Sequence, residues 1–110
     1  MTTAADFKVI QPAGILSSRT SEKILQEFQD SLDARAKAVL IDLSQVNFMD
    51  SSGLGLLVSM HTRLRLAGGK LYLCSLSEQC KGILDISDLD RVFEIFNSPS
   101  EFYAVVLGGV

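Results

Sequence analysis

The segment best placed to carry chemistry is Asn47-Phe48-Met49-Asp50-Ser51-Ser52-Gly53-Leu54-Gly55. It follows a short apolar run and opens a stretch of helical periodicity. In open α/β sheets, ligands and partners meet the fold past the carboxyl ends of strands. Asp50 is a good N-cap, and Ser51 and Ser52 fall in the first turn behind it. The first backbone N–H groups of a helix have no partner inside the helix. They can receive an anion, which the helix dipole also favours. A phosphate esterified to Ser51 would be held by the same groups. The plainer reading is that Asp50, Ser51 and Ser52 only cap a helix. Spacing alone leaves both readings open.

Other chemistries fail on position. A nucleophile elbow at Ser51 needs glycine at position 49, which is Met49. His61 is the only histidine. Ten positions along one helix is a rise of about 15 Å, too far to reach the Ser51 hydroxyl. Gly68-Gly69-Lys70 resembles the end of a phosphate-binding loop, but positions 64 and 71 are leucines. Gly53-Leu54-Gly55 lacks the third glycine of a dinucleotide fingerprint, because position 58 is Val58. No His, Cys and carboxylate residues have metal-ligand spacing, so neither metal nor cofactor is expected. Cys74 and Cys80 form neither a CxxC nor a zinc pattern and read as reduced core residues. His61 reads as packed or half-exposed.

These residues need a scaffold of alternating strands and helices. Residues 7–11 and 14–16 have strand composition around Pro12-Ala13-Gly14, which predicts an antiparallel hairpin. Ser17 or Ser18 then caps a helix with Ile24, Leu25, Phe28 and Leu32 at core spacing, ending near Arg35. Residues 39–43 read as a strand covered on both faces. Residues 44–50 read as a turn. Residues 51–67 are helical, with Leu56, Leu57, Met60, Leu64 and Ala67 in the core arc. Gly68-Gly69 stops that helix, and residues 70–76 return to strand. Ser75-Leu76-Ser77-Glu78 reads as a capping box for a helix whose stripe is Cys80, Ile83 and Leu84. Residues 92–96 form a last strand. Ser98-Pro99-Ser100-Glu101 starts a final helix, from which Phe102, Val105 and Val106 face the core. The expected fold is α/β: a small mixed, mainly parallel sheet of about four to five strands with about four helices packed on it.

Composition narrows the function. The chain has 110 residues, 47% of them hydrophobic and 21% charged, as a globular protein does. One domain spanning 1–110 is expected. A net charge of −3 argues against a nucleic-acid partner, which calls for a basic patch. No apolar run approaches the roughly 18 residues of a membrane span. Met1-Thr2-Thr3-Ala4-Ala5-Asp6 lacks the basic and apolar regions of a secretory signal, so a cytoplasmic location is expected.

The run from Val39-Leu40-Ile41-Asp42-Leu43 through Asp50-Ser51-Ser52-Gly53-Leu54-Gly55 resembles the STAS domain of the bacterial anti-sigma factor antagonist family. Ala67-Gly68-Gly69-Lys70-Leu71 is similar to that family's helix-to-strand turn, and residues 89–96 to its closing segment. The resemblance implies a partner-switching protein without catalytic activity. Its unphosphorylated form would bind an anti-sigma factor that is also a serine kinase of the histidine-kinase-like ATPase fold, freeing the sigma factor. Phosphorylation would release it, and a PP2C-type phosphatase would reverse the mark. The implied acceptor is Ser51, ahead of Ser52, with Asp50 and Gly53 supporting the site. One departure stands out: the family often has Gly-x-Leu-Asp where this chain has Gly14-Ile15-Leu16-Ser17, so a carboxylate near the site is replaced by Ser17. The same fold also serves as a subunit of lipid-transport ABC complexes and as the cytosolic end of anion transporters.

The helical wheel sets the contact surface. Ser51, Leu54, Gly55, Val58 and Thr62 run along the outward edge of the second helix with Ser52 beside them, and the resemblance implies that Ser17 joins this surface. Gly55 would let a partner backbone approach. Leu54 and Val58 lie at the border of the core arc, where packing against a neighbouring helix is the competing reading.

Overall fold

The computed structural model describes residues 6–108. Along the chain lie β1 (Phe7–Ile10), β2 (Ala13–Leu16), α1 (Glu22–Asp33), β3 (Ala38–Asp42), β4 (Gln45–Met49), α2 (Ser51–Leu66), β5 (Lys70–Cys74), α3 (Glu78–Ile86), β6 (Glu94–Phe96) and α4 (Pro99–Val106). Short 3-10 turns at Ser18–Thr20 and Leu89–Arg91 precede α1 and β6. The main sheet has the order β1-β3-β5-β6, and every pairing in it is parallel. This is the mainly parallel α/β architecture expected from the alternation of apolar runs and helical periods.

β3 is buried along its whole length because both of its faces are covered. On one face Val39 and Ile41 meet Phe28 of α1, Leu57, Met60 and Leu64 of α2, and Cys80 and Leu84 of α3. On the other, Ala38 and Leu40 meet Tyr72, Phe96 and Phe102 of α4. The Phe102 ring is fully buried, its centroid 5.2 Å from that of Tyr72 and 5.9 Å from those of Phe96 and Phe7. Cys74 and Cys80 are both buried free thiols. Burial pushes the Cys74 thiol up to about 11, so it stays protonated and unreactive at neutral pH.

Two expectations about the chain before α2 are corrected. Residues 7–16 form no hairpin: β1 joins β3, while β2 joins β4 in a separate two-stranded parallel sheet. The 44–50 segment is therefore not only a turn, since it contains β4. The pair β1–β2 runs alongside the pair β3–β4, and both chains step from one sheet to the other at the same level. Pro12 has no N–H to give a ladder at that step. Side chains close the gap instead. The Gln11 amide donates to Asp42 Oδ2 at 3.0 Å and to Ser44 Oγ at 3.3 Å, and Ser44 N donates to Asp42 Oδ1 at 3.0 Å. Asp42 is thus buried but satisfied, as a buried carboxylate must be.

The other differences are local. Ser77, not Ser75, caps α3, its hydroxyl accepting from Cys80 N at 3.2 Å; Ser75 takes a left-handed φ of 61° as the chain leaves β5. Val105 is 63% exposed, because α4 covers the sheet through Phe102 and Val106 and turns Val105 outward. In α2, Leu56 is only half-buried and Ala67 is exposed past the helix end. Among the described residues no helix is long and apolar enough to cross a membrane.

His61, half-buried on α2, packs edge-on against Phe93 with ring centroids 5.4 Å apart. Its Nδ1 is buried with no hydrogen-bond partner among the described residues. Burial, and then the charges of Arg65 and Lys70, lower its pKa below the usual value. The unfolded chain therefore takes the His61 proton first as pH falls below about 6.5, and stability declines with it. Urea unfolding at pH 7.5 and pH 5.5 should show a lower midpoint at the acid pH. In His61→Phe that loss should shrink; an unchanged loss would assign it to other groups.

Candidate functional site

The site lies where β4 ends and α2 begins. Asp50 is extended, with φ −97° and ψ −179°, and its carboxylate accepts from Gly53 N at 2.9 Å. The helix N-cap read from the sequence is therefore formed. Asp50 N in turn donates to the Leu16 carbonyl at 3.3 Å, which ties the cap to the end of β2. The Ser52 hydroxyl, then the Gly53 N–H, and more weakly the Arg19 charge hold the Asp50 carboxyl below its usual pKa. It remains an anion throughout the neutral range.

The two serines differ. The Ser52 hydroxyl donates to Asp50 Oδ1 at 2.6 Å and accepts from Ser18 N at 2.9 Å. It is a structural link between α2 and the turn after β2. Ser51 is exposed, and its hydroxyl makes no hydrogen bond to any described residue. It is presented to solvent from the first turn of α2.

Gly53 is the reason the helix can sit here. A Cβ on it would lie 2.1 Å from the Leu16 carbonyl oxygen and 3.1 Å from Met49 Cγ. Of the outward strip read from the sequence, Ser51, Gly55 and Thr62 are exposed and Val58 is half-buried. Leu54 is corrected: it is only 6% exposed and belongs to the core. Ser17 is also corrected, since it is buried and turned to local work. Its hydroxyl accepts from Arg19 N at 3.3 Å, and its N–H donates to Thr20 Oγ1 at 3.1 Å, capping the 3-10 turn. The Thr20 hydroxyl donates to the Ile15 carbonyl.

Two contributors were not legible in the sequence. Gln79 of α3 grips the backbone of Met49 from both sides of its amide: Oε1 accepts from Met49 N at 2.8 Å, and Nε2 donates to Met49 O at 2.7 Å. It thereby pairs with the free edge of β4 one residue before the cap. Arg19 is the other: its positive charge is close enough to help lower the Asp50 pKa. Among the described residues no three His, Cys, Asp or Glu side chains converge on a metal-sized site.

Comparison with known proteins identifies the family and the fold. The STAS domain family model matches residues 1–102. An anti-sigma-B factor antagonist of Listeria monocytogenes is 30% identical over 89 residues, 81% of this chain and 78% of the relative. An anti-sigma F factor antagonist of Paenibacillus polymyxa is 24% identical over 91 residues, covering 82% and 78%. Among solved structures, the anti-sigma factor antagonist SpoIIAA in its unphosphorylated form matches with a TM-score of 0.80 at 23% identity, over 98% of this chain and 95% of that one. The phosphorylated form of SpoIIAA from Bacillus matches at 0.70 with 22% identity, over 92% and 91%. These two structures share the fold.

The close seat of α2 is directly testable. Gly53→Ala must push the first turn off Leu16, and such overpacking costs about 1–3 kcal/mol. Denaturant titration should show that loss with an unchanged slope. A neutral Gly53→Ala would mean that the helix start is free to move.

Proposed function

The chain belongs to the STAS domain family, and on that premise we propose that it is an anti-sigma factor antagonist whose binding is gated by phosphorylation of Ser51. The unphosphorylated form binds an anti-sigma factor that is also a serine kinase of the histidine-kinase-like ATPase fold, and so frees the sigma factor. The kinase transfers the γ-phosphoryl of ATP to Ser51 Oγ. The hydroxyl proton leaves to a base on the kinase, and ADP departs. A PP2C-type phosphatase hydrolyses the ester. The protein itself acts as a binding module and catalyses nothing.

The observation that carries this reading is the difference between the serines. Ser51 offers a free, exposed hydroxyl, whereas phosphorylating Ser52 would break its bonds to Asp50 and Ser18. Asp50 and Gly53 hold the helix start in place, and Ser52, Gly55, Val58 and Thr62 continue the contact strip along α2. Gly55 supports this role. A Cβ there would meet nothing within 4 Å, so the chain has no packing need for glycine at that point. A partner backbone lying on α2 would supply one.

The switch is electrostatic. A phosphate adds about −1.5 to −2 charges, taking the net charge from −3 to about −5. The helix start stabilises that charge by about 0.3–2 kcal/mol. One acidic group of the partner about 6 Å away would repel it by about 4–5 kcal/mol at an effective dielectric of about 20. Repulsion wins, and affinity falls by roughly a thousandfold. No refolding of the chain is required.

Incubation with the cognate kinase and ATP, followed by peptide mass spectrometry, should find phosphate on Ser51. Its absence from both Ser51 and Ser52 would remove the switch. Ser51→Ala should bind the kinase whether or not ATP is present, and Ser51→Asp only weakly; equal binding by the two would refute the electrostatic account. Co-purification with a transporter ATPase subunit in place of a kinase would move the protein to the lipid-transport branch of the family. Gly55→Leu should keep the fold, raise the unfolding midpoint slightly, and lower kinase affinity by about tenfold or more.

A further inference from the structure

A second surface is lined by residues outside the Ser51 strip. Between α3, the Leu89–Arg91 turn and β6 runs an open groove of about 470 Å³, within the size range of ligand-binding clefts. Its floor is apolar, made by Leu76, Leu84 and Ile95. Gly82 opens onto it from the middle of α3. A Cβ at Gly82 would meet nothing within 4 Å, and its backbone angle is not one that requires glycine. Glycine inside a helix is less stable than alanine, and nothing in this chain approaches closely enough to need it. One turn further along the same helix face, Ile86 is 88% exposed.

The rim is acidic. Glu78, Asp85 and Asp90 border the groove, with Lys81 the one basic lining residue. The Lys81 ammonium lies 3.6 Å from Glu78. Among the described residues, neither Asp85 nor Asp90 has an ion-pair partner. An apolar floor with unpaired carboxylates beside it is complementary to one kind of segment: apolar side chains for the floor, flanked by lysine or arginine. We propose that this groove docks a basic amphipathic helix of a partner protein, packed across Gly82 with its cations against Asp85 and Asp90. None of the residues lining this groove belongs to the Ser51 contact strip.

The probe is a synthetic amphipathic helix of leucine and lysine, with a leucine–glutamate version as control, titrated into isotopically labelled full-length protein and followed by NMR. The lysine peptide should give saturable shifts at the amides of Gly82, Asp85 and Ile86, and the glutamate peptide none. Gly82→Leu fills the open space with a better helix former. It should hold or raise the unfolding midpoint while weakening the lysine peptide at least tenfold, about 1.4 kcal/mol. Asp85→Asn with Asp90→Asn should weaken it as well. The proposal is overturned by an absence of saturable binding, by equal binding to Gly82→Leu, by equal binding of the glutamate peptide, or by shifts confined to other surfaces.

Discussion

The first turn of α2 rests on bare backbone. The Leu16 carbonyl oxygen lies where a methyl group on Gly53 would have to go, and the same oxygen accepts from the N–H of Asp50. One atom of β2 therefore holds the cap and excludes a side chain from the turn behind it. This contact sets the rotation of the helix. With Gly53 turned to the sheet, Leu57, Met60 and Leu64 follow into the core at helical spacing. The opposite edge, Ser51, Gly55 and Thr62, is left facing water. Ser52 falls between the two edges and ends up bonded to Ser18. The chemical inequality of two adjacent serines is a consequence of where one glycine can fit.

Much of this could be read from the chain, and the misreadings share a cause. The βαβ unit from β3 to β5, the Asp50 cap and the Ser98-Pro99 start of α4 depend on residues close in sequence, so pattern and capping rules reach them. The hairpin expected around Pro12-Ala13-Gly14 failed because the partners of β1 and β2 lie some thirty positions away. β4 was hidden because its alternation is broken. Val46 and Met49 are buried while Asn47 and Phe48 are not, matching the register shift in its pairing with β2. Leu54 sits at the border of the helical wheel, and the wheel carries no information about the neighbouring elements that bury it. Gln79 left no signal at all, since a glutamine on an amphipathic helix ordinarily faces solvent.

The chain also forgoes stability in two places without any internal return. Gly55 in α2 and Gly82 in α3 stand inside helices, in open space, where alanine would fit. Gly53 and Gly69 are different, since a Cβ on either would collide with the chain itself. Sorting the glycines by what surrounds them separates those the fold requires from those it merely tolerates.

The grip of Gln79 on Met49 has a consequence for how the molecules behave when crowded together. β4 has β2 on one side only, and a strand with an unpaired edge is a template onto which a strand from another molecule can add. At the last rung of β4 both the N–H and the C=O are already taken by the side-chain amide of α3. A side chain that plays the part of a neighbouring strand ends the ladder from within. Growth of a shared sheet from one chain to the next has no free rung at that end to start from.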